Sequence, residues 1–242
     1  MAGVSAERQE TSVVEAVKKA FKKNKKNPIT IVAGTITLEG IINAEKYSGR
    51  QITGSEPYTD VIFTAYNKKE YNCSLKGEAA PSLAGGGLRG LELAVPGIGK
   101  KFLKNVHKYL TEEMKLKPGD KVPDVYGKIS KSNKLKIVIG NKQMGGPIDY
   151  MYIGKMDVKS NYDLNKNILV YQNGELIPAD YYAKTHDLYF RLRARREDQR
   201  FDPSAQAAGV PKIYGKSPSR GDSAGRIVVT DKVPKNAIII DV

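Results

Sequence analysis

EPYTDVIFTAYNKKEYNCSLKG, residues 56–77, is the stretch whose reading decides the fold. Two runs within it, TDVIFTAY and EYNCSLK, are rich in β-branched and aromatic residues. Asn67-Lys68-Lys69 lies between them with turn composition, so the stretch is predicted to be a β-hairpin. Side chains alternate along a strand, so Ser74 and Lys76 share one face of the second run and Cys73 and Leu75 the other. Asp60 opens the first run. If the strands pair, Asp60 and the Ser74–Lys76 face converge at one end of the sheet. A carboxylate at the start of a buried strand is costly unless it is paired or bound to a cation.

Working outward, residues 5–24 read as a helix with Ser5 as cap and Val14, Val17 and Phe21 at helical spacing. Glu10 falls on that apolar stripe. A first-turn carboxylate suits the positive end of the helix dipole, and one on the stripe can also aim inward at a sheet. Glu10, Asp60 and Lys76 together are two carboxylates and one cation, a set suited to phosphodiester hydrolysis. The carboxylates would hold Mg²⁺ (or Mn²⁺), a hard ion that prefers oxygen ligands. The ion would polarise a phosphate and acidify a bound water. The lysine would position or deprotonate that water, or stabilise charge on the phosphorane.

On these residues the stretch resembles the core of the PD-(D/E)xK nuclease superfamily. In that pattern an aspartate opens one strand, and an acidic residue, any residue and a lysine follow on the next. The resemblance spans roughly residues 5–110. It implies an α/β, restriction-endonuclease-like mixed sheet flanked by helices. It makes Asp60 a metal ligand, Lys76 the catalytic lysine and Glu10 the glutamate that the first core helix often adds. The chain departs from the pattern at Ser74, where the acidic residue is expected. Some restriction enzymes of this family also carry Ser-x-Lys, with the glutamate moved elsewhere. Glu78 and Glu92 downstream and Glu10 upstream are the candidates, with Ser74 supporting through its hydroxyl. PIDYMYIGKMDVK holds a second, shorter match in Asp149 and Asp157-x-Lys159, which also reads as polar positions of alternating strands.

Composition bounds the rest. The 242 residues carry 40 Lys and Arg against 26 Asp and Glu, a net charge of +14, which points to a polyanionic partner, nucleic acid before membrane. One cysteine excludes an intrachain disulfide, and with two histidines it cannot make a typical zinc site. No apolar run reaches the length of a membrane span, and an intracellular, cytoplasmic protein is expected. Candidate phosphate contacts are Arg89 beyond the glycine-rich segment 77–90, Lys100 and Lys101, and Arg191, Arg193 and Arg195 at period two. VPGIGKKFLKNVHKYL, around Lys100 and Lys101, resembles the second half of a helix-hairpin-helix motif. It also reads as an ordinary glycine-started helix.

The expected organisation is a nuclease-like core over 1–118 and a strand-rich part over 119–242 that supplies DNA contacts and specificity or a homodimer contact. PITIVAG, KLKIVIG, IDYMYIG, NILVYQNGELI, DLYFRLRAR, RIVVT and AIIIDV read as strands, with an Asn173-Gly174 hairpin turn inside the fourth. LEGIINAEKY reads as helical. Ile98, Phe102, Val106, Leu110 and Met114 predict a helix stopped by Pro118-Gly119, and 197–225 reads as a long loop. The expected function is a Mg²⁺-dependent DNA endonuclease, encoded by a phage or mobile element on family habit. The alternative is a non-catalytic, basic nucleic-acid-binding or virion structural protein on a degenerate nuclease-like core.

Overall fold

The computed structural model describes residues 4–78, 87–193, 200–202, 206–207, 210–211, 216–217, 221–222 and 226–242. In chain order the elements begin with α1 (Val4–Lys23), β1 (Ile29–Ala33), β2 (Ile36–Lys46), β3 (Val61–Ala65) and β4 (Glu70–Gly77). Then come α2 (Gly87–Ala94), α3 (Ile98–Lys108), β5 (Val125–Lys128), α4 (Lys131–Ile139) and β6 (Tyr150–Gly154). They continue with β7 (Ser160–Asp163), β8 (Ile168–Tyr171), β9 (Gly174–Pro178), α5 (Ala179–Thr185) and β10 (Tyr189–Arg193). Four two-residue strands, β11 (Gln206–Ala207), β12 (Val210–Pro211), β13 (Lys216–Ser217) and β14 (Gly221–Asp222), pair as two small hairpins. β15 (Arg226–Thr230) and β16 (Ile238–Ile240) close the chain. No helix among the described residues is long and apolar enough to cross a membrane.

The chain forms two compact units that are interleaved in sequence. Residues 1–81 and 138–185 make the first, and 82–137 and 186–242 the second. Position 118, the expected boundary, lies inside the second unit.

The first unit is mixed α/β. Its eight-stranded mixed sheet has the order β7-β8-β1-β2-β3-β4-β6-β9, with β1/β8 and β4/β6 parallel and the other pairs antiparallel. The predicted hairpin is present: Val61 pairs with Cys73 and Thr64 with Glu70, and Lys68 takes the left-handed conformation (φ 67°) in the turn. β8 and β9 lie near opposite ends of the strand order, yet only Gln172 and Asn173 join them. The sheet therefore curls until its ends meet. Tyr152 of β6 meets Tyr171 of β8 edge-on at 5.6 Å. Asn173-Gly174 is a corner between non-paired strands, not the expected hairpin turn. A hairpin at this site would need β8 beside β9, but β1 and β7 hold both pairing edges of β8.

α1 packs against the apolar face of this curled sheet. Gln9, Val13, Val14, Val17 and Ala20 are buried, at spacings of three and four. Against them lie Ile31, Leu38, Ile41, Val61, Phe63, Cys73, Leu169 and Tyr171. The Tyr171 hydroxyl donates to the Val13 carbonyl at 2.8 Å. Burying each such aliphatic side chain contributes about 1.5–3 kcal/mol, so this shared face is the main source of the unit's cohesion.

Two expected elements changed type. Residues 38–46 form most of strand β2 rather than a helix. Buried Leu38, Ile41 and Ala44 are three apart because the pairing register shifts twice, against β1 between Leu38 and Ile41, where Gly40 takes φ +69°, and against β3 between Ile41 and Asn43. A bulge inserts one residue and so mimics helical spacing. KLKIVIG became most of helix α4. Lys134, Ile137 and Val138 are its buried positions, and Leu135 is 40% exposed. The expected strand is thus a helix whose buried face combines Lys134 with Ile137 and Val138.

In the second unit β15, β10, β5 and β16 form a four-stranded sheet. α3 packs on it through Phe102, whose ring lies 5.3 Å from that of Phe190. The predicted helix continues as a π-helical turn at Tyr109–Glu113, burying Leu110, before Lys115 turns left-handed (φ 54°). The predicted loop at 197–225 falls largely outside the described residues.

Candidate active site

Asp60 sits just before β3 and is fixed from several sides. Its N–H donates to Cys73 O (2.9 Å), and its carbonyl accepts from Tyr47 N–H (3.0 Å). The Val61–Cys73 register sets Asp60 opposite Ser74. Its side-chain Oδ2 accepts from the Leu75 N–H at 2.6 Å and from the Ser74 hydroxyl at 3.0 Å. Ser74 is buried, and Lys76 is half-buried two residues along the same strand face. Burial raises the Asp60 carboxyl above the usual carboxylate range. The nearby Lys76 charge, the Leu75 N–H and the Ser74 hydroxyl oppose that rise, and Glu56 adds to it.

Glu10 reaches the same place from α1. It lies at the edge of the buried stripe, whose centre at this turn is Gln9 and not Glu10 as the sequence suggested. Gln9 can be fully buried because its amide donates to the Gly154 and Lys155 carbonyls at 3.4 and 3.2 Å. A glutamate there would face two carbonyl oxygens. Half-buried Glu10 pairs with Lys46 at 3.4 Å. Burial and then the Asp60 charge raise its carboxyl, while Lys46 pulls it down.

Glu10 and Asp60 line one pocket of about 300 Å³, together with Tyr47, Arg50, Glu56 and Thr59. The 47–59 loop forms its rim and is tied down by backbone bonds. Ile52, Tyr58 and Thr59 N–H donate to Gln143, Met144 and Gly145 carbonyls, and the buried Gln51 amide donates to Glu56 O at 2.7 Å. Arg50 and Glu56 were not singled out from the sequence. They lie in a turn-rich segment with no periodicity, and only their nearness to Asp60 in the chain hinted at them.

The donor set fits a divalent cation of the hard, oxygen-preferring class. Three carboxylates, Glu10, Glu56 and Asp60, line one pocket, and Asp60 raises the proton affinity of Glu10 there. A Mg²⁺ ion is commonly held by one or two carboxylates and keeps several waters. The Ser74 hydroxyl and the Leu75 N–H both donate to Asp60 Oδ2. No preassembled group of three or more His, Cys, Asp or Glu ligands occurs among the described residues.

The other candidates lie elsewhere. Glu92 of α2 accepts from Gly97 N–H (2.6 Å) and Lys100 N–H (3.0 Å), capping α3 with a carboxylate. The backbone donors expected to face phosphate beside Lys100 and Lys101 are thus taken up within the fold. Glu78 is exposed, just beyond β4. Arg89 is exposed on α2. Arg191 donates to Asp124 Oδ2 from Nε (3.1 Å) and Nη2 (2.5 Å) and lies over the Tyr126 ring, so it is engaged within its own unit. Arg193 ends β10, and Arg195 lies outside the described residues. Asp149 accepts from the Asn72 N–H at 2.8 Å, just before β6, and Asp157 is exposed just after it. That second match is therefore split across the length of a strand.

Comparison with protein-family models, with curated proteins and with solved structures returned no match.

Proposed function

We propose that the first unit is a divalent-metal-dependent phosphodiesterase core acting on DNA. The observation that carries this reading is the convergence of Asp60, Ser74 and Lys76 at one end of the β3–β4 hairpin, with the Glu10 carboxylate lining the same pocket as Asp60. Asp60, Glu10 and Lys76 are residue types that phosphodiester hydrolysis uses, and Ser74 stands where the nuclease resemblance expects an acid. The net charge of +14 favours a polyanionic substrate.

In this reading the Glu10 and Asp60 carboxylates would hold the cation. Bound there, Mg²⁺ would polarise the scissile phosphate and acidify a water. Lys76 orients the attacking water or stabilises charge on the phosphorane, and its charge opposes the rise that burial imposes on the Asp60 carboxyl. Ser74 fixes the Asp60 carboxylate in one rotamer by its hydroxyl. Glu56 supplies negative charge beside Asp60, a role the pattern would give to the residue at 74. Arg50 on the pocket rim is placed to contact a phosphate.

The test is cleavage of supercoiled plasmid by the purified chain with Mg²⁺ or Mn²⁺, beside Lys76→Ala and an EDTA control. Nicking or linearisation that both remove supports the reading. Binding without cleavage across both metals and several DNA substrates would refute it in favour of a second reading, a non-catalytic nucleic-acid-binding or virion protein. Ser74 favours that alternative, since its hydroxyl satisfies Asp60 with no metal required.

A further inference from the structure

The second unit contains a larger cavity that the nuclease reading does not use. Its volume is about 830 Å³, within the range of small-molecule sites. Four lysines line it: Lys101 of α3, Lys128 of β5, and Lys131 and Lys134 of α4. Asp187 lines it too, 3.0 Å from Lys128 Nζ and 4.0 Å from Lys134 Nζ. Lys134 is only 5% exposed, and its ammonium also donates to the His186 carbonyl at 2.5 Å. A lysine is seldom buried this far, and this one shares the inward face of α4 with Ile137. Lys131 adds a third positive charge near Asp187. One carboxylate thus faces three lysines, with Lys101 on the same wall and Asp241 as the other acid. The cavity carries an excess of positive charge.

Pro96, Ile98, Ile129 and Phe190 give the lining an apolar part, and Ser130 and Asn133 add polar groups beside it. The cavity is far larger than a phosphate ion requires. Lysines recognise phosphate as point charges, and an apolar wall takes a ring-bearing body. We infer that this cavity binds a phosphomonoester carrying an apolar or ring-bearing group, with a nucleoside 5′-phosphate as the representative class. Lys101 and Lys131, both exposed at the cavity, contact the phosphate, and Pro96, Ile98 and Ile129 receive the base. The same chemistry could come from a free nucleotide or from the 5′-phosphorylated end of a strand. The inference concerns the second unit alone and does not depend on the proposed nuclease chemistry.

The test is titration calorimetry of the full chain at about 0.15 M salt, where non-specific attraction is screened. The probes are adenosine 5′-monophosphate, adenosine, inorganic phosphate, and a short oligonucleotide with either a 5′-phosphate or a 5′-hydroxyl. Saturable binding of the monophosphate is expected, with adenosine and inorganic phosphate each at least about tenfold weaker. Lys101→Ala and Lys131→Ala are surface changes that leave folding intact, and each should weaken binding about tenfold, the loss expected for one charge-assisted hydrogen bond. Lys22→Ala/Lys23→Ala on α1 controls for net charge and should leave binding unchanged. If only the 5′-phosphorylated oligonucleotide binds, with the same dependence on Lys101 and Lys131, the source is a strand end. The inference is overturned if adenosine and its monophosphate bind alike, if the cavity variants behave as the α1 control does, or if no phosphorylated probe saturates.

Discussion

The Ser74 hydroxyl donates to Asp60 Oδ2 at 3.0 Å, across the mouth of the β3–β4 hairpin. The position where the nuclease pattern expects an acid is therefore occupied by a donor that stabilises the neighbouring acid. Ser74→Ala removes one of the two donors to Oδ2 and leaves the Leu75 N–H. The expected outcome is a loss of about 1–2 kcal/mol in denaturant unfolding. Cleavage should fall by less than in Lys76→Ala, because the carboxylate stays and only its positioning suffers. A Ser74→Ala protein as inactive as Lys76→Ala would give the hydroxyl a larger part than proposed.

Asp60 should oppose stability at neutral pH. Its carboxyl is raised by burial, so the folded protein holds the proton more tightly than the unfolded chain does. The penalty is absent below the unfolded carboxylate value of about 3.9 and grows as pH rises through the raised folded value. Glu10 acts in the same direction. Asp60→Asn keeps the shape and an acceptor for Leu75 N–H but removes the charge. Its Tm should exceed that of the unaltered protein at pH 7, and the gap should close as the pH falls toward 4. Thermal melts at pH 4, 5.5 and 7 check this; an Asn variant less stable at pH 7 contradicts it.

Cation binding should reverse that penalty. Mg²⁺ binding only the folded state raises Tm by mass action, by about 2.7 kcal/mol of stability at a hundredfold excess over its dissociation constant. The shift should disappear in Asp60→Asn and shrink strongly in Glu10→Gln, and it should weaken with falling pH as protons compete for the carboxylates. Equal Tm shifts in all three proteins would place any Mg²⁺ effect outside this pocket.

Closure of the curled sheet has its own signature at Gly34, in the β1–β2 turn at φ +63°. A Cβ built there would lie 2.7 Å from Glu175 Cβ on β9. Gly34→Ala should cost about 1–2 kcal/mol from the left-handed backbone alone, with a further loss from the contact. Adding Glu175→Gly should recover only the contact part. If the double variant is no more stable than Gly34→Ala, the turn and β9 do not approach as described.

Local chemistry made the centre of the first unit legible. The β-branched and aromatic runs around Asn67-Lys68-Lys69 specify a hairpin, and period-two alternation puts Ser74 and Lys76 on one face. Because that pairing spans few residues, sequence also placed Asp60 beside Ser74. Val14 and Val17 likewise located the first helix, though one residue of rotation about its axis separates Gln9 from Glu10, and the apolar stripe does not distinguish them.

Tertiary structure alone decided what depends on distant partners. A bulge beside Gly40 gave β2 a helix-like spacing, and only pairing with β1 and β3 shows the strand. In α4 the apolar surroundings of Ile137 and Val138 set which face turns inward, and they carry Lys134 in with them. Asn173-Gly174 has hairpin composition, but β1 and β6 hold the strands on either side of it. Glu56 and Arg50 became site residues because backbone bonds from the 47–59 loop to residues 143–145 fold that loop over Asp60. A sequence records each residue's own preferences, whereas curling, closure and burial come from contacts among residues far apart in the chain.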